Sequence, residues 1–230
     1  MNKGIRKIFS EVPRTYECIN HVLTFGLDIL WRRKAAQKAA SEGGTTWLDV
    51  CSGTGEMAMY LRRLADDTTT VLAADFSFPM LKEITTKPEA HRILFTLAEA
   101  DLLPFPDNTF DLVTISFATR NINVSRDSLM QCLREFYRIL KPEGRFVNLE
   151  TSQPPSRLVR VLFHTYVRMF VRPIGLAISG SRVPYAYLSR TIRSFYTADE
   201  FADIIRQVGF AEVTFNRMLL GAAAIHQAVK

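Results

Sequence analysis

The stretch Trp47–Ala58, WLDVCSGTGEMA, constrains the fold more than any other part of the chain. An apolar run ends in a carboxylate, two glycines bracket a threonine, and a second carboxylate opens a run of helical character. That order predicts a strand, a sharp turn and a helix, the opening βα unit of a parallel sheet. Gly53 and Gly55 carry no side chain, so the backbone can turn tightly and approach a ligand. The acidic residues matter as much as the glycines: Asp49 ends the strand and Glu56 opens the helix.

After Gly43–Gly44 the alternation continues. Strands are expected at Thr45–Val50, Thr69–Asp75, Arg92–Ala98, Phe110–Phe117 and Gly144–Glu150. The clearest helix is Ser125–Leu140, where Leu129, Cys132, Leu133, Phe136, Ile139 and Leu140 recur at helical spacing before the stop signal KPEG. Towards the C-terminus, Thr197 and Glu200 read as a capping box ahead of a helix ended by Gly209. Glu212–Asn216 and Leu219–Val229 then lie close enough to pair as an antiparallel hairpin. The expected class is α/β, a Rossmann-like seven-stranded sheet, parallel with one antiparallel C-terminal strand, and helices on both faces. At 230 residues with 47% apolar content, a single domain is expected. Its parts would be an N-terminal helical lid (1–42), a cofactor-binding core (43–150), a helical insert over the substrate site (151–196) and a C-terminal helix with the hairpin (197–230).

The chemistry of the turn narrows the ligand. Pyrophosphates favour such turns, because exposed N–H groups and the helix dipole attract anions. Asp49 and Glu56 would repel a pyrophosphate and attract a ligand bearing positive charge. The dinucleotide fingerprint also fails, with Ala58 where its last glycine would stand, and no P-loop lysine is present. S-adenosylmethionine has an ammonium and a sulfonium and no phosphate, so it suits this turn. Asp75, followed by Phe76, ends the second strand where a ribose-binding acid belongs, and a carboxylate there can accept both ribose hydroxyls. Glu99 and Ala100 follow the third strand, where a side-chain oxygen and a backbone N–H can bracket an adenine; Asp101 competes with Glu99 for that role. Three acids at three successive strand ends describe one crevice.

Composition sets the remaining bounds. Cys18, Cys51 and Cys132 are scattered and odd in number, which fits neither a disulfide framework nor a metal site. His21, His91, His164 and His226 are isolated along the chain, and no metal is expected. Cys51 has no histidine paired with it by any motif and reads as a small buried residue beside the turn. The N-terminus lacks an apolar signal region, so a cytoplasmic protein is expected. A net charge of +6 is compatible with nucleic acid or an anionic membrane.

DVCSGTGE, AADFSFPML, AEADLLPFPDNTFDLVTISFATRNI and REFYRILKPEGRFVNLETSQP together resemble the ubiquinone/menaquinone C-methyltransferases of the UbiE/MenG type. The N-terminal IFSEVPRTYECINHVLTFGLDILWRR and the ending GAAAIHQAVK extend the resemblance to nearly the whole chain. It implies a class I S-adenosylmethionine-dependent methyltransferase that methylates a ring carbon of a demethylated polyprenyl quinol, most of all demethylmenaquinol. Carried over by position, it implies cofactor contacts at Thr54, Asp75, Glu99, Ala100 and Ser116; Ser116 rests on the resemblance alone. On the substrate side the candidates are Arg120, Asn121 and Tyr16. Arg120 stays protonated at any working pH, so its expected part is stabilising a phenolate, with the proton leaving through Tyr16 or solvent. The plainer reading of Arg120 is an ion pair with a loop carboxylate. Glu17, Ala118, Gln153 and Tyr196 depart from the family pattern, mostly in substrate-side loops.

In PPSRLVRVLFHTYVRMFVRPIG, Arg157, Arg160, His164, Arg168 and Arg172 recur along one helical face among aliphatic residues. Four arginines argue against a spanning helix. A basic amphipathic helix lying on the inner face of an anionic membrane is one reading, and a cover over the active site that also helps form a homodimer is the other. FGLDILWRRKAA reads as a lid helix or as a packed capping helix. Arginines interleaved with aliphatic residues, without aromatic stacking platforms, disfavour nucleic acid. Two alternatives remain in view: the same cofactor with another small-molecule or lipid acceptor, and a non-catalytic cofactor-binding scaffold.

Overall fold

The computed structural model describes residues 13–180 and 183–230. Its elements run α1 (Pro13–Thr24), α2 (Leu27–Ala40), β1 (Thr46–Val50), α3 (Glu56–Leu64), β2 (Thr70–Asp75), α4 (Phe78–Ile84), β3 (Ile93–Leu97) and β4 (Phe110–Ser116). They continue with α5 (Thr119–Ile122), α6 (Arg126–Ile139), β5 (Leu140–Thr151), α7 (Arg157–Ser179), α8 (Val183–Ser194), α9 (Ala198–Val208), β6 (Ala211–Met218) and β7 (Ala223–Val229).

One seven-stranded sheet has the order β3-β2-β1-β4-β5-β7-β6. β1 pairs in parallel with β2 and β4, while β7 runs antiparallel to both β5 and β6. The chain therefore reverses its direction of winding between β1 and β4, and ligands of open α/β sheets bind beyond the strand ends at such a switch point. Central strands buried on both faces need continuous apolar runs, and Leu48, Val50, Val113 and Ile115 meet that need at full burial. α6 and α9 cover one face through Leu133, Phe136, Phe201 and Ile205. The other face is covered by α2 and α3, with Trp31, Ala35 and Leu61 packed on Trp47 and Leu112.

The capping box forms as its sequence requires: Thr197 Oγ1 accepts from the Glu200 N–H, and the Thr197 N–H donates to Glu200. Ser125 caps α6 from outside the helix. Two strand starts differ from the sequence pattern by four residues. β5 begins at Leu140 rather than Gly144, joining β4 through a register shift between Phe110 and Leu112. The last strand begins at Ala223, because Leu219 and Leu220 take left-handed backbone (φ 43° and 54°) in a 3-10 turn, which breaks the pleat.

α7 and α8 pack against each other and against α1, with Ile19, Leu23, Val167, Val171, Tyr185 and Ile192 as a separate small core. A Cβ on Gly175 would lie 2.0 Å from the Tyr185 ring, so only glycine allows this approach of α7 to α8.

Candidate active site

Beyond the C-terminal ends of β1, β2 and β4 lies a narrow cleft lined by Gly53, Thr54, Asp75, Phe76, Ser116 and Asn121, with Arg32 and Glu56 at one side. Two residues of this rim, Cys51 and Phe117, directly follow β1 and β4 in left-handed conformation (both φ 53°). Non-glycine residues held there carry strain of order 1 kcal/mol or more, and such strain collects at ligand sites.

Asp75 organises the cleft. Its Oδ2 accepts from the Gly53 N–H at 2.9 Å and its Oδ1 from the Ser77 N–H at 2.8 Å, which ties β2 to the glycine turn. Burial pushes its pKa up to about 6 despite these donors. Gly55 opens α3 at φ 82°, and a Cβ there would lie 2.7 Å from Ile84. Gly53, at φ 57°, would place a Cβ in open space. One glycine is thus demanded by packing, the other by its backbone and its place on the cleft. Asp49 is not among the residues lining the cleft: it is fully buried, accepts from Ser52 Oγ at 2.6 Å and Thr114 Oγ1 at 2.7 Å, and burial raises it to about 6. It braces the turn from beneath.

Through Cys51, Phe76 and Ile122 the cleft continues into a cavity of about 340 Å³ that Glu99, Ala100 and Asp101 also line. Glu99 and Asp101 both reach this cavity. Cys51 is half-buried, and desolvation pushes its thiol well above the usual range, which disfavours a nucleophile's role.

A third cavity, about 370 Å³ and mainly apolar, lies under α1, α7 and α8. Arg32 and Phe117 line both it and the cleft, with the Arg32 guanidinium 4.9 Å from the Phe117 ring centre. The short α5 splits its residues between the two spaces: Asn121 faces the cleft and Arg120 the apolar cavity. Arg120 is buried and paired with Glu150 of β5, so its partner comes from a strand and not from a loop. Tyr16 lies on α1, but its side chain is outside the described residues.

The sequence pattern did not single out Arg32 or Asp28. Arg32 donates to Asp28 Oδ2 at 2.6 Å and lies 3.1 Å from Glu56 Oε2. The i,i+4 spacing of Asp28 and Arg32 on one helix was the available signal. His21 joins them, with Nδ1 2.8 Å from Asp28 Oδ2 and Nε2 3.6 Å from Glu56 Oε1. His21, Asp28 and Glu56 place possible ligand atoms within 4.8 Å of one another, a metal-like spacing, but the Arg32 guanidinium already bridges the two carboxylates.

The cleft suits S-adenosylmethionine. Asn121 Oδ1 is buried there without a hydrogen-bond partner, an acceptor needing a ligand's donor. Asp75 and Glu56 offer carboxylates to a cationic ligand with ribose hydroxyls, and Arg32 offers a cation to a carboxylate. The sheet order and this cleft define an S-adenosylmethionine-dependent methyltransferase. A Thermotoga maritima structure described as a SAM-dependent methyltransferase, possible histamine N-methyltransferase, superposes with TM-score 0.70 over 98% of this chain and 99% of that one at 18% identity. The model of the ubiE/COQ5 methyltransferase family matches residues 1–230, and the chain belongs to that family. It is 35% identical to the ubiquinone/menaquinone biosynthesis C-methyltransferase UbiE of Desulfotalea psychrophila, over 99% of this chain and 90% of that protein. It is 34% identical to the demethylmenaquinone methyltransferase of Lactiplantibacillus plantarum, over 99% and 96%.

Proposed function

We propose that this methyltransferase acts on a ring carbon of a demethylated polyprenyl quinol, demethylmenaquinol above all. One observation carries the reading: an apolar cavity of about 370 Å³ adjoins the cofactor cleft across Arg32 and Phe117, and its rim includes Phe25 and Leu220, 82% and 73% exposed. A flat aromatic head fits such a space, and a long apolar tail fits such a rim. The relatives' names point to the same acceptor class.

In this reading Gly53, Thr54, Asp75 and Ser116 hold the cofactor, Asp75 by the ribose, while Phe76, Glu99 and Ala100 bracket the adenine; Asp49 and Gly55 hold the turn in shape. Bound there, the cofactor supplies a methyl group on a sulfonium that is its own leaving group. The chain must orient the acceptor ring, exclude water and stabilise negative charge on the acceptor oxygen. Arg120 supplies the stabilising positive charge in the acceptor cavity; Asn121, its neighbour on the cleft side, fixes the boundary between ring and cofactor. Tyr16 stands as a further acceptor-side candidate.

The acceptor's tail implies a bilayer. Ser152–Tyr196 holds seven arginines and no acidic residue. On α7, Arg157, Arg168 and Arg172 are exposed beside the exposed Leu158, Leu162 and Met169. α7 is long and apolar enough to cross a membrane, yet Val167 and Val171 anchor it to α1 and α8. It suits peripheral contact with anionic lipid.

The test supplies methyl-labelled cofactor with chemically reduced demethylmenaquinone and locates the label in the extracted quinone. Label on the ring carbon is expected. Confirmed cofactor binding with no label would overturn this acceptor.

A further inference from the structure

Ring methylation of a quinol releases one proton. The carbon–methyl bond forms as the sulfur–methyl bond breaks, its electron pair staying on sulfur; the acceptor gives up its hydroxyl proton, and the ring hydrogen displaced from carbon replaces it on oxygen. A group beside the acceptor must take that proton. Arg120 cannot, because guanidinium stays protonated. Glu150 lines neither the cleft nor the two cavities described above, and donors hold both of its oxygens: Oε1 accepts from Arg120 Nη1, Thr151 N–H and Thr151 Oγ1, and Oε2 from the Arg120 N–H.

Asp28 also has both oxygens in hydrogen bonds, but it differs from Glu150 in its place: it faces the cavity, and one of its partners is an imidazole that can take a proton onward. It lines the acceptor cavity although almost wholly buried. Its Oδ2 faces Arg32 and His21, while Oδ1 accepts the Thr24 hydroxyl at 2.6 Å. Burial favours its neutral form, but the Thr24 hydroxyl and the Arg32 charge outweigh that and hold its carboxyl below the usual range, so it stands as a ready anion. His21, behind it, has a side chain 32% exposed. The pair therefore spans from the cavity wall to solvent. Resting on the quinol reading above, we propose that Asp28 and His21 are the proton exit of the acceptor cavity: Asp28 takes the hydroxyl proton and His21 passes it to water. Asp28 is the catalytic residue of the two, since it faces the acceptor, and His21 is a relay acting through it. The proton reaches the carboxylate, moves across the 2.8 Å contact to imidazole, and leaves from the exposed ring. Arg32, bonded to Asp28 and facing Glu56, keeps the carboxylate fixed where cleft and cavity meet.

Because His21 is reached from solvent, its removal can be repaired chemically. In His21→Ala, the single-turnover methylation rate on reduced demethylmenaquinone should fall about a hundredfold, while the cofactor Kd by calorimetry stays within about twofold. Added imidazole should restore the rate, and a series of substituted imidazoles should restore it in proportion to basicity. His21→Gln keeps a donor to Asp28 but fills the space, so it should show the same loss without rescue. Asp28→Asn should be slow with or without imidazole. A His21→Ala rate near wild type would overturn the proposal. So would a lost rate that no imidazole restores while cofactor binding persists, because that is the mark of a structural role. If the wild-type protein itself fails to methylate the quinol, the acceptor reading falls and the relay with it; an active wild type beside unaffected variants sinks the relay alone.

Discussion

Arg120 Nη1 lies 2.5 Å from Glu150 Oε1; both side chains are buried, and Arg120 lines the apolar cavity. Two opposite charges brought into a low-dielectric site hold each other, and removing one strands the other at a cost of about 3–5 kcal/mol. The pair thus fixes a cation beside the proposed acceptor space while its two charges cancel.

Arg120→Ala is accordingly expected to lower turnover by about two to three orders of magnitude and to lower Tm, because Glu150 is left unpaired. The double variant Arg120→Met/Glu150→Gln should recover most of the Tm and none of the turnover. Cofactor affinity should stay near wild type in both, since Arg120 faces the acceptor cavity and Asn121 the cleft. Parallel loss of cofactor binding in the well-folded double variant would move Arg120 to the cofactor side.

The two glycines of the turn should separate stability from binding. Gly55→Ala sets a methyl 2.7 Å from Ile84 at φ 82° and should destabilise by about 2–3 kcal/mol. Gly53→Ala meets no atom within 4 Å and bears only the left-handed penalty of about 1 kcal/mol. Its methyl enters the cleft, so cofactor affinity should fall more than Tm. Thermal melts and calorimetric titrations of both variants check this; equal effects on both quantities would contradict it.

With Asp75 as the proposed ribose ligand, cofactor binding should depend on pH. Its carboxyl titrates near 6, raised by burial, and only the ionised form has all its acceptor capacity for ribose hydroxyls. Kd should therefore rise as pH falls below about 6, approaching tenfold per unit, and be flat above. Stability of the free protein moves the other way: a carboxyl raised in the fold contributes stability below its unfolded value, near 3.8, that is lost as pH rises through 6. Asp49, raised to about 6 by burial, adds in the same direction. Asp75→Asn should flatten the pH dependence of Kd, with affinity weakened throughout.

Short-range chemistry was the legible part of this fold. The glycine turn, the Thr197–Glu200 cap and the periodic run of α6 each carry their instruction within a few residues, and each forms. The same reading stops where partners lie far apart in the chain. Arg120 meets Glu150 across thirty positions, and Asp111 accepts from Thr45 and Thr46 while pairing with Lys141. Asp28 and Arg32 are both buried, because Arg32 pairs with Asp28 on its own helix and with Glu56 on another, a partner that the local pattern does not reveal. Leu219 and Leu220 continued an apolar strand pattern, and only their left-handed backbone shows the turn that presents them at the cavity rim. Periodicity reports which face of an element is apolar, not which distant charge makes burial of a polar residue affordable.

The arginine-rich helices carry the last prediction. Arg157, Arg168 and Arg172 are exposed, and none has an ion pair among the described residues. A basic side chain near an anionic bilayer contributes about 1 kcal/mol, screened within a Debye length. Binding to vesicles containing phosphatidylglycerol should thus exceed binding to neutral phosphatidylcholine vesicles, and weaken with added salt. The triple variant to Gln should lose about a hundredfold in anionic-vesicle affinity. None of the three residues lines the cleft or either cavity, so methylation of a tail-less, water-soluble quinol should continue at the wild-type rate. Sedimentation of protein with vesicles of the two compositions makes the comparison. Equal partitioning would remove the membrane from this picture, and sedimentation equilibrium of the protein alone would then show whether a second copy covers the exposed face of α7.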